Sequence, residues 1–268
     1  SETVHYFEGA FTDESGQVRA LAVEGLSQLE AGRRSPRLDD ALHDQAAYVR
    51  KFALKALGKT GDRSKIGVIE PFLKDEEPVV RVAAAAALAM LNQPAGWERL
   101  AASAKSGNPD ERSAALLALA SLKRAASFPD FEASAGDKQP SVRAAVMTGL
   151  GELGENKAVP ILVKALRDPI PAVRGAAVVS LGKLHATGAT SEITRMLADK
   201  NPGVRADAVA VLLEFQSPYS AVADTVREVM RDKEPSIRSR IAKALSKGQG
   251  ASLNDAVDDL RGLLQDAL

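Results

Sequence analysis

Apolar residues in this chain return at spacings of three and four, and no stretch alternates apolar with polar as a half-buried strand would, so the pattern predicts helices from end to end. The helices come in pairs. Around Arg81, Ile66, Ile69 and Leu73 mark a first helix, residues 75–77 a turn, and residues 78–91 a second helix of about four turns at ~3.6 residues per turn. This unit then repeats along the chain. Arg stands at 19, 50, 81, 112, 143, 174 and 205, always 31 residues on, and again at 238. Val or Ile precedes it in seven of the eight cases, and Leu follows seven residues later every time (Leu26, Leu57, Leu88, Leu119, Leu150, Leu181, Leu212, Leu245). An internal period of this length is the mark of a repeat array.

Other positions of the period punctuate the helices. Pro stands three residues before the Arg from Pro78 to Pro235, at the place where a second helix would begin; there its missing N–H costs no hydrogen bond. Eleven residues after the Arg come Gly61, Asn92 and Gly154, residue types suited to the left-handed conformation that closes a helix, and His185 falls at the same place. The repeats therefore span about 2–30, 36–60, 64–92, 96–123, 125–154, 156–184, 188–215 and 218–247, with a C-terminal capping helix over 252–268. A lone helix pair cannot bury its apolar face, whereas stacked pairs share a continuous core. The expected fold is all-α: an α-solenoid of about eight two-helix repeats plus the terminal helix, forming one domain over 1–268. Small residues three and six after the Arg (Ala53 and Ala56, Ala84 and Ala87) against bulkier first helices predict a curved stack.

Asp precedes the Arg by six residues in every repeat but the fourth, which has Ser106. Lying in the turn before the second helix, such a carboxylate can accept backbone N–H bonds there. Asp44, Arg50, Asp75, Arg81, Asp137, Arg143, Asp168, Arg174, Asp199 and Arg205 are thus expected to form a structural ladder of ion pairs and turn hydrogen bonds. Repeat four, with Ser106 for Asp and Glu111 for Val, is expected to lack its rung, and a Pro inside the first helix that follows, Pro129, is read either as a local bend or contact point or as drift of the sequence.

The phrase Asp-x-x-Pro-x-Val-Arg-x-x-Ala-x-x-x-Leu-Gly is complete at 168–182 and occurs at 137–151 with Val146 in the Ala place. It resembles HEAT-like repeats of the phycobilisome-lyase type, over nearly the whole chain. That resemblance implies the solenoid and no single activity, because the family includes chromophore lyases, metal-dependent hydroxylases and scaffolds without chemistry. The hydroxylases use His-Glu pairs on second helices. Here Tyr6, Asp44 and Ala186 follow the three histidines, which argues against a dinuclear iron site.

Composition narrows the function. The 35 basic and 35 acidic residues cancel, and aromatics are only 4%, so neither a global field nor a stacking platform favours nucleic acid or an acidic membrane. Cys is absent, which excludes thiolate sites and disulfides and fits a cytoplasmic chain. No apolar run approaches the ~20 residues that span a bilayer, and residues 1–30 lack the layout of a secretory signal. A chain opening on Ser1 reads as processed or as cut from something longer. No residue set points to catalysis, a metal or a cofactor. Trp97, Phe128 and Phe131 are expected to pack in the core, and His185 to be a helix-end residue.

One surface invites a partner. If residues just before, three after and seven after each Arg face the neighbouring helices, those one, five and eight after it should line a concave groove. In the five central repeats these places carry no charge, and Val82, Ala86, Ser113, Leu117, Thr148, Val179, Ala210 and Leu213 are the candidate partner-binding residues. Charge returns at the ends with Glu24, Lys51, Lys55 and Lys243. A helix apolar all round is normally buried, so either lateral packing covers the central places or they form an open strip, which would suit an amphipathic helix or extended peptide. The reading is a non-enzymatic protein-interaction scaffold; the alternative is a chromophore (bilin) lyase-like enzyme, and a DNA-lesion reader would need the basic, aromatic face that is missing.

Overall fold

The computed structural model describes residues 2–30, 32–247 and 256–257. Among them no strand occurs and the helices follow one another in pairs. Repeat one holds α1 (Glu2–Gly9) and α2 (Gly16–Gln28), repeat two α3 (Arg37–Asp40) and α4 (Ala47–Thr60). Repeat three holds α5 (Ile66–Ile69) and α6 (Pro78–Met90), repeat four α7 (Pro94–Ser103) and α8 (Pro109–Ser121). Repeat five holds α9 (Phe128–Ser134) and α10 (Pro140–Leu153), repeat six α11 (Val159–Ala165) and α12 (Pro171–Lys183). Repeat seven holds α13 (Thr190–Arg195) and α14 (Pro202–Glu214), repeat eight α15 (Ala223–Met230) and α16 (Pro235–Lys247). The capping helix expected over 252–268 falls outside the described residues apart from the helical pair 256–257.

Local chemistry sets these boundaries. Pro78, Pro109, Pro140, Pro171, Pro202 and Pro235 each open a second helix, as the pattern predicts. Residues eleven after the Arg close the helices in the left-handed region: Gly61, Asn92, Lys123, Gly154, His185 and Gln216, with φ between 47° and 74°. His185 is therefore a helix-closing residue. The following N–H of Gln93, Ala186 and Ser217 reaches back to the carbonyl of Leu88, Leu181 and Leu212, capping the last turn. First helices are shorter, and several finish in a 3₁₀ turn. Pro71 shows why: it removes an i→i−4 bond, and the α5 helix gives way to 3₁₀ at Glu70–Lys74. Pro129, the second residue of α9, lies in the first turn where its missing donor is harmless, so that helix runs on.

The chain packs as two units, Ser1–Asp130 and Phe131–Leu268. In the first unit the leucines seven after the Arg, Leu26, Leu57 and Leu88, are sealed in one core with Leu38, Leu42, Leu54 and Ile69. Each contributes roughly 1.5–3 kcal/mol by leaving water. Trp97 is half-buried there, with the Arg124 guanidinium 4.6 Å from its ring centre, and Phe128 is buried. In the second unit Val142, Val173, Val204, Leu150, Leu181 and Leu212 play the same part, joined by Phe131. Small residues make close stacking possible. A Cβ on Gly182 would lie 2.7 Å from Val211, and one on Gly151 2.5 Å from the hydroxyl of Ser180, which donates to the Met147 carbonyl at 2.8 Å.

Candidate functional site

The most regular chemistry lies in the turns before the second helices. Every repeat Arg folds back on its own turn: Nη1 donates to the carbonyls six and five residues earlier, at 2.6–2.9 Å and 2.9–3.3 Å. That leaves Nε and Nη2 for a second fork. Arg19 gives both to Asp44 (2.6 and 2.8 Å), Arg50 to Asp75 (3.0 and 2.9 Å), Arg143 to Asp168 (2.6 and 2.9 Å) and Arg174 to Asp199 (2.6 and 2.7 Å). The rung therefore joins the Arg of one repeat to the Asp of the next. Each of these Asp residues also accepts the N–H two residues on, an Asx turn that fixes the loop, and Asp137 does the same with Gln139. Lys could not replace Arg here, because one ammonium lacks the planar fork needed to hold two carbonyls and a carboxylate at once.

The carboxylates respond to these contacts. Hydrogen bonds from Arg19 and Arg143 hold Asp44 and Asp168 below the ordinary carboxylate range against the opposing effect of burial. At Asp75 and Asp199 burial pushes up most strongly, yet the guanidinium and backbone bonds together keep the carboxyl low. Arg205 departs from the pattern and reaches Glu228 at 3.0 Å.

Repeat four corrects an expectation. Its rung is present, supplied by Glu111 from the place where other repeats carry Val. The buried carboxylate accepts from Arg81 Nη2 at 2.9 Å, Arg99 Nη2 at 3.2 Å, Ser103 Oγ at 2.9 Å and Ser106 Oγ at 3.1 Å. Burial raises its pKa and these donors outweigh that, leaving it below the usual glutamate value. Ser106 and Glu111 are one compensated exchange, with the missing acid returned from the helix instead of the turn.

The expected partner groove is only partly open. Val82 and Ala86 are buried, Ser113, Thr148, Ala210 and Leu213 half-buried, and Leu117 and Val179 exposed at 42% and 38%. The error is one of angle. At about 100° per residue, places one and eight after the Arg lie within ~20° of each other on the helix. That stripe packs on the following second helix, as Gly175 does against Val204 and Asp207, Gly182 against Val211 and Gly58 against Ala87. In the five central repeats the more open stripe runs instead through place nine and, outside repeat three where Ala86 is buried, place five, with place two half-buried beside them except for the buried Ala145. Only the fifth, with Leu117, Thr148, Val179 and Ala210, was among those foreseen.

Including places two and nine brings in charge. In the second unit Glu152 pairs with Lys183 and Asp207 with Arg240 (2.9 Å). Burial holds Asp207 above the ordinary carboxylate range, with Arg240 opposing. An Asp among Ala residues at the second place of the period was its signal in the sequence. His5, His43 and His185 are all exposed, and no group of three metal-ligating side chains occurs among the described residues. No helix among them is long and apolar enough to cross a membrane.

Comparison with known proteins agrees with this architecture. HEAT repeats match residues 3–89, 35–120, 98–182, 128–213 and 190–267. YibA of E. coli is similar in structure, with a TM-score of 0.60 at 18% identity over 93% of this chain and 98% of that one. The complex of CpcE and CpcF of phycocyanin lyase from Nostoc sp. PCC7120 has a TM-score of 0.47 at 20% identity over 97% of this chain and 94% of that one. Human deoxyhypusine hydroxylase in complex with glycerol has a TM-score of 0.38 at 21% identity, covering 91% and 95%. No curated protein sequence matches. The likeness to YibA at this identity concerns the fold alone. With its period of 31 residues, its helix pairs and repeat matches running from residue 3 to 267, the chain belongs to the HEAT repeat family.

Proposed function

We propose that this chain is a non-enzymatic scaffold that binds a helix or extended segment of another protein on the exposed apolar places of its second helices, Leu117 in the first unit and Val179 in the second. The observation that supports this is the exposure of Leu117 and Val179 at the same place of the period, where a helix face with no partner would ordinarily be polar. Unlike the ladder residues, these two make no contribution that the turns require. Protein segments in the cytoplasm, and not nucleic acid, are the partners on this reading. The test is affinity capture with the intact chain and with Leu117→Asp and Val179→Asp. Both substitutions should leave the circular dichroism spectrum intact and remove the captured partner; unchanged capture sinks the proposal.

The likeness of the repeat phrase to the phycobilisome-lyase type makes a bilin the ligand to try against this reading. A shift of bilin visible absorption on adding the protein would replace the scaffold by a chromophore-lyase-like function.

A further inference from the structure

A second surface lies on the turn edge of the second unit, apart from the open helix stripe. Between the turns of repeats six and seven is a recess of about 710 Å³. Three cations stand around it: Arg167, Arg195 and Lys200. All three are exposed, and none forms an ion pair among the described residues. The acids in the same lining are already occupied, since Asp168 holds Arg143 and Asp199 holds Arg174. The recess thus carries three cations outside the ladder's ion pairs.

Single cations recur at these places in other repeats, but the three come together only here among the neighbouring gaps. The corresponding places are Gly136, Lys164 and Pro169 one gap earlier, and Ala198, Glu228 and Lys233 one gap later. The second helices α12 and α14 also begin here, at Pro171 and Pro202, though Asn201 already caps the first N–H groups of α14. The rest of the lining is mixed: Pro169, Met196, Ala198 and those two prolines alternate with Asn201 and the ladder groups Asp168, Arg174 and Asp199. The volume far exceeds one oxyanion, so a chain that spreads several carboxylates and an apolar side chain over the recess fills it better than a free phosphate.

We infer that this recess binds an acidic peptide segment, its carboxylates forking onto Arg167 and Arg195 and meeting Lys200 while an apolar side chain rests on Met196 and the prolines. Arg suits a carboxylate here for the same geometric reason as in the ladder. In a chain whose total charge is zero, the attraction is local and falls with salt.

The experiment uses the intact chain and a fluorescein-labelled Glu-Glu-Leu-Glu-Glu-Leu-Glu-Glu peptide, read by fluorescence anisotropy at low and high salt. The natural chain should bind, more weakly in high salt. The Arg167→Glu, Arg195→Glu, Lys200→Glu variant should bind about tenfold more weakly or worse. The variant Arg63→Glu, Lys74→Glu, Lys233→Glu carries the same change in net charge on other exposed cations and should bind as the natural chain does. Circular dichroism checks the fold, and the single Arg195→Gln variant, expected to weaken binding several-fold, stands in should the triple variant not fold. Absence of binding at low salt, equal binding by the first variant, or equal weakening by the second overturns the inference. Displacement by inorganic phosphate as effective as by unlabelled peptide overturns the peptide assignment. Open-stripe variants address a different face, so the scaffold reading stands or falls separately.

Discussion

Replacing Glu111 by Val gives repeat four the residue that the pattern of the other repeats favours, and a substitution toward the consensus of an array ordinarily stabilises. The structure predicts the opposite. The Glu111 carboxylate is 6% exposed and takes four donors, two of them guanidinium nitrogens. Removing one partner of a buried ion pair costs ~3–5 kcal/mol, and the orphaned Ser103 hydroxyl adds ~1 kcal/mol. Against this, a buried Val returns ~1.5–3 kcal/mol. Arg81 also keeps its own-turn carbonyls and is 20% exposed, which softens the loss. The net expectation is a loss of about 2–3 kcal/mol, or roughly 5–10 °C in Tm for a chain of this size. Urea and thermal unfolding followed by circular dichroism measure it. Adding Ser106→Asp to Glu111→Val rebuilds the ordinary rung from the turn and should recover most of the loss. Ser106→Asp alone sets a second acid beside Glu111 and should destabilise, so the cycle shows strong coupling. If Glu111→Val is as stable as the natural chain, the compensated rung is an incidental contact and the reasoning fails.

Three other outcomes follow from the same geometry. Arg174→Lys keeps the charge and loses the fork to Asp199 and the two carbonyls, so a loss of about 1–2 kcal/mol in urea unfolding is expected, and a neutral result would show that charge alone suffices. Gly96→Ala would put a Cβ 2.4 Å from the Ala89 nitrogen and 2.6 Å from the Ala85 carbonyl oxygen, backbone that cannot step aside, at a cost of about 2–3 kcal/mol; Gly67→Ala meets nothing and should gain about 0.5 kcal/mol. Asp44, Asp75, Asp168, Asp199 and Glu111 sit low when folded, so the unfolded chain binds more protons in acid. The ladder's contribution should be full above about pH 5 and be lost as pH falls through the depressed folded values, with Asp207 acting weakly in the other direction. A urea midpoint that stays flat from pH 6 to pH 3 contradicts this.

Helix pairs, their limits and the core leucines could all be read from residue order, because Pro at a helix start, Gly or Asn at its end and apolar spacing act within a few residues of themselves. Lys123, His185 and Gln216 close helices without belonging to the favoured types, and it was their place in the period that gave His185 away. What order could not supply was direction around the helix and reach between repeats. Places one and eight after the Arg are apolar and small whether they meet solvent or the next second helix, and only packing shows that Gly182 and Gly58 press on a neighbour while Val179 stays open. In the same way Glu111 looks like a lost Val until Arg81, thirty residues away, is found beside it. Sequence determined the repeat, since its signals are local; tertiary structure decided which charges meet and which apolar faces remain uncovered, since both depend on contacts between repeats that no single repeat encodes.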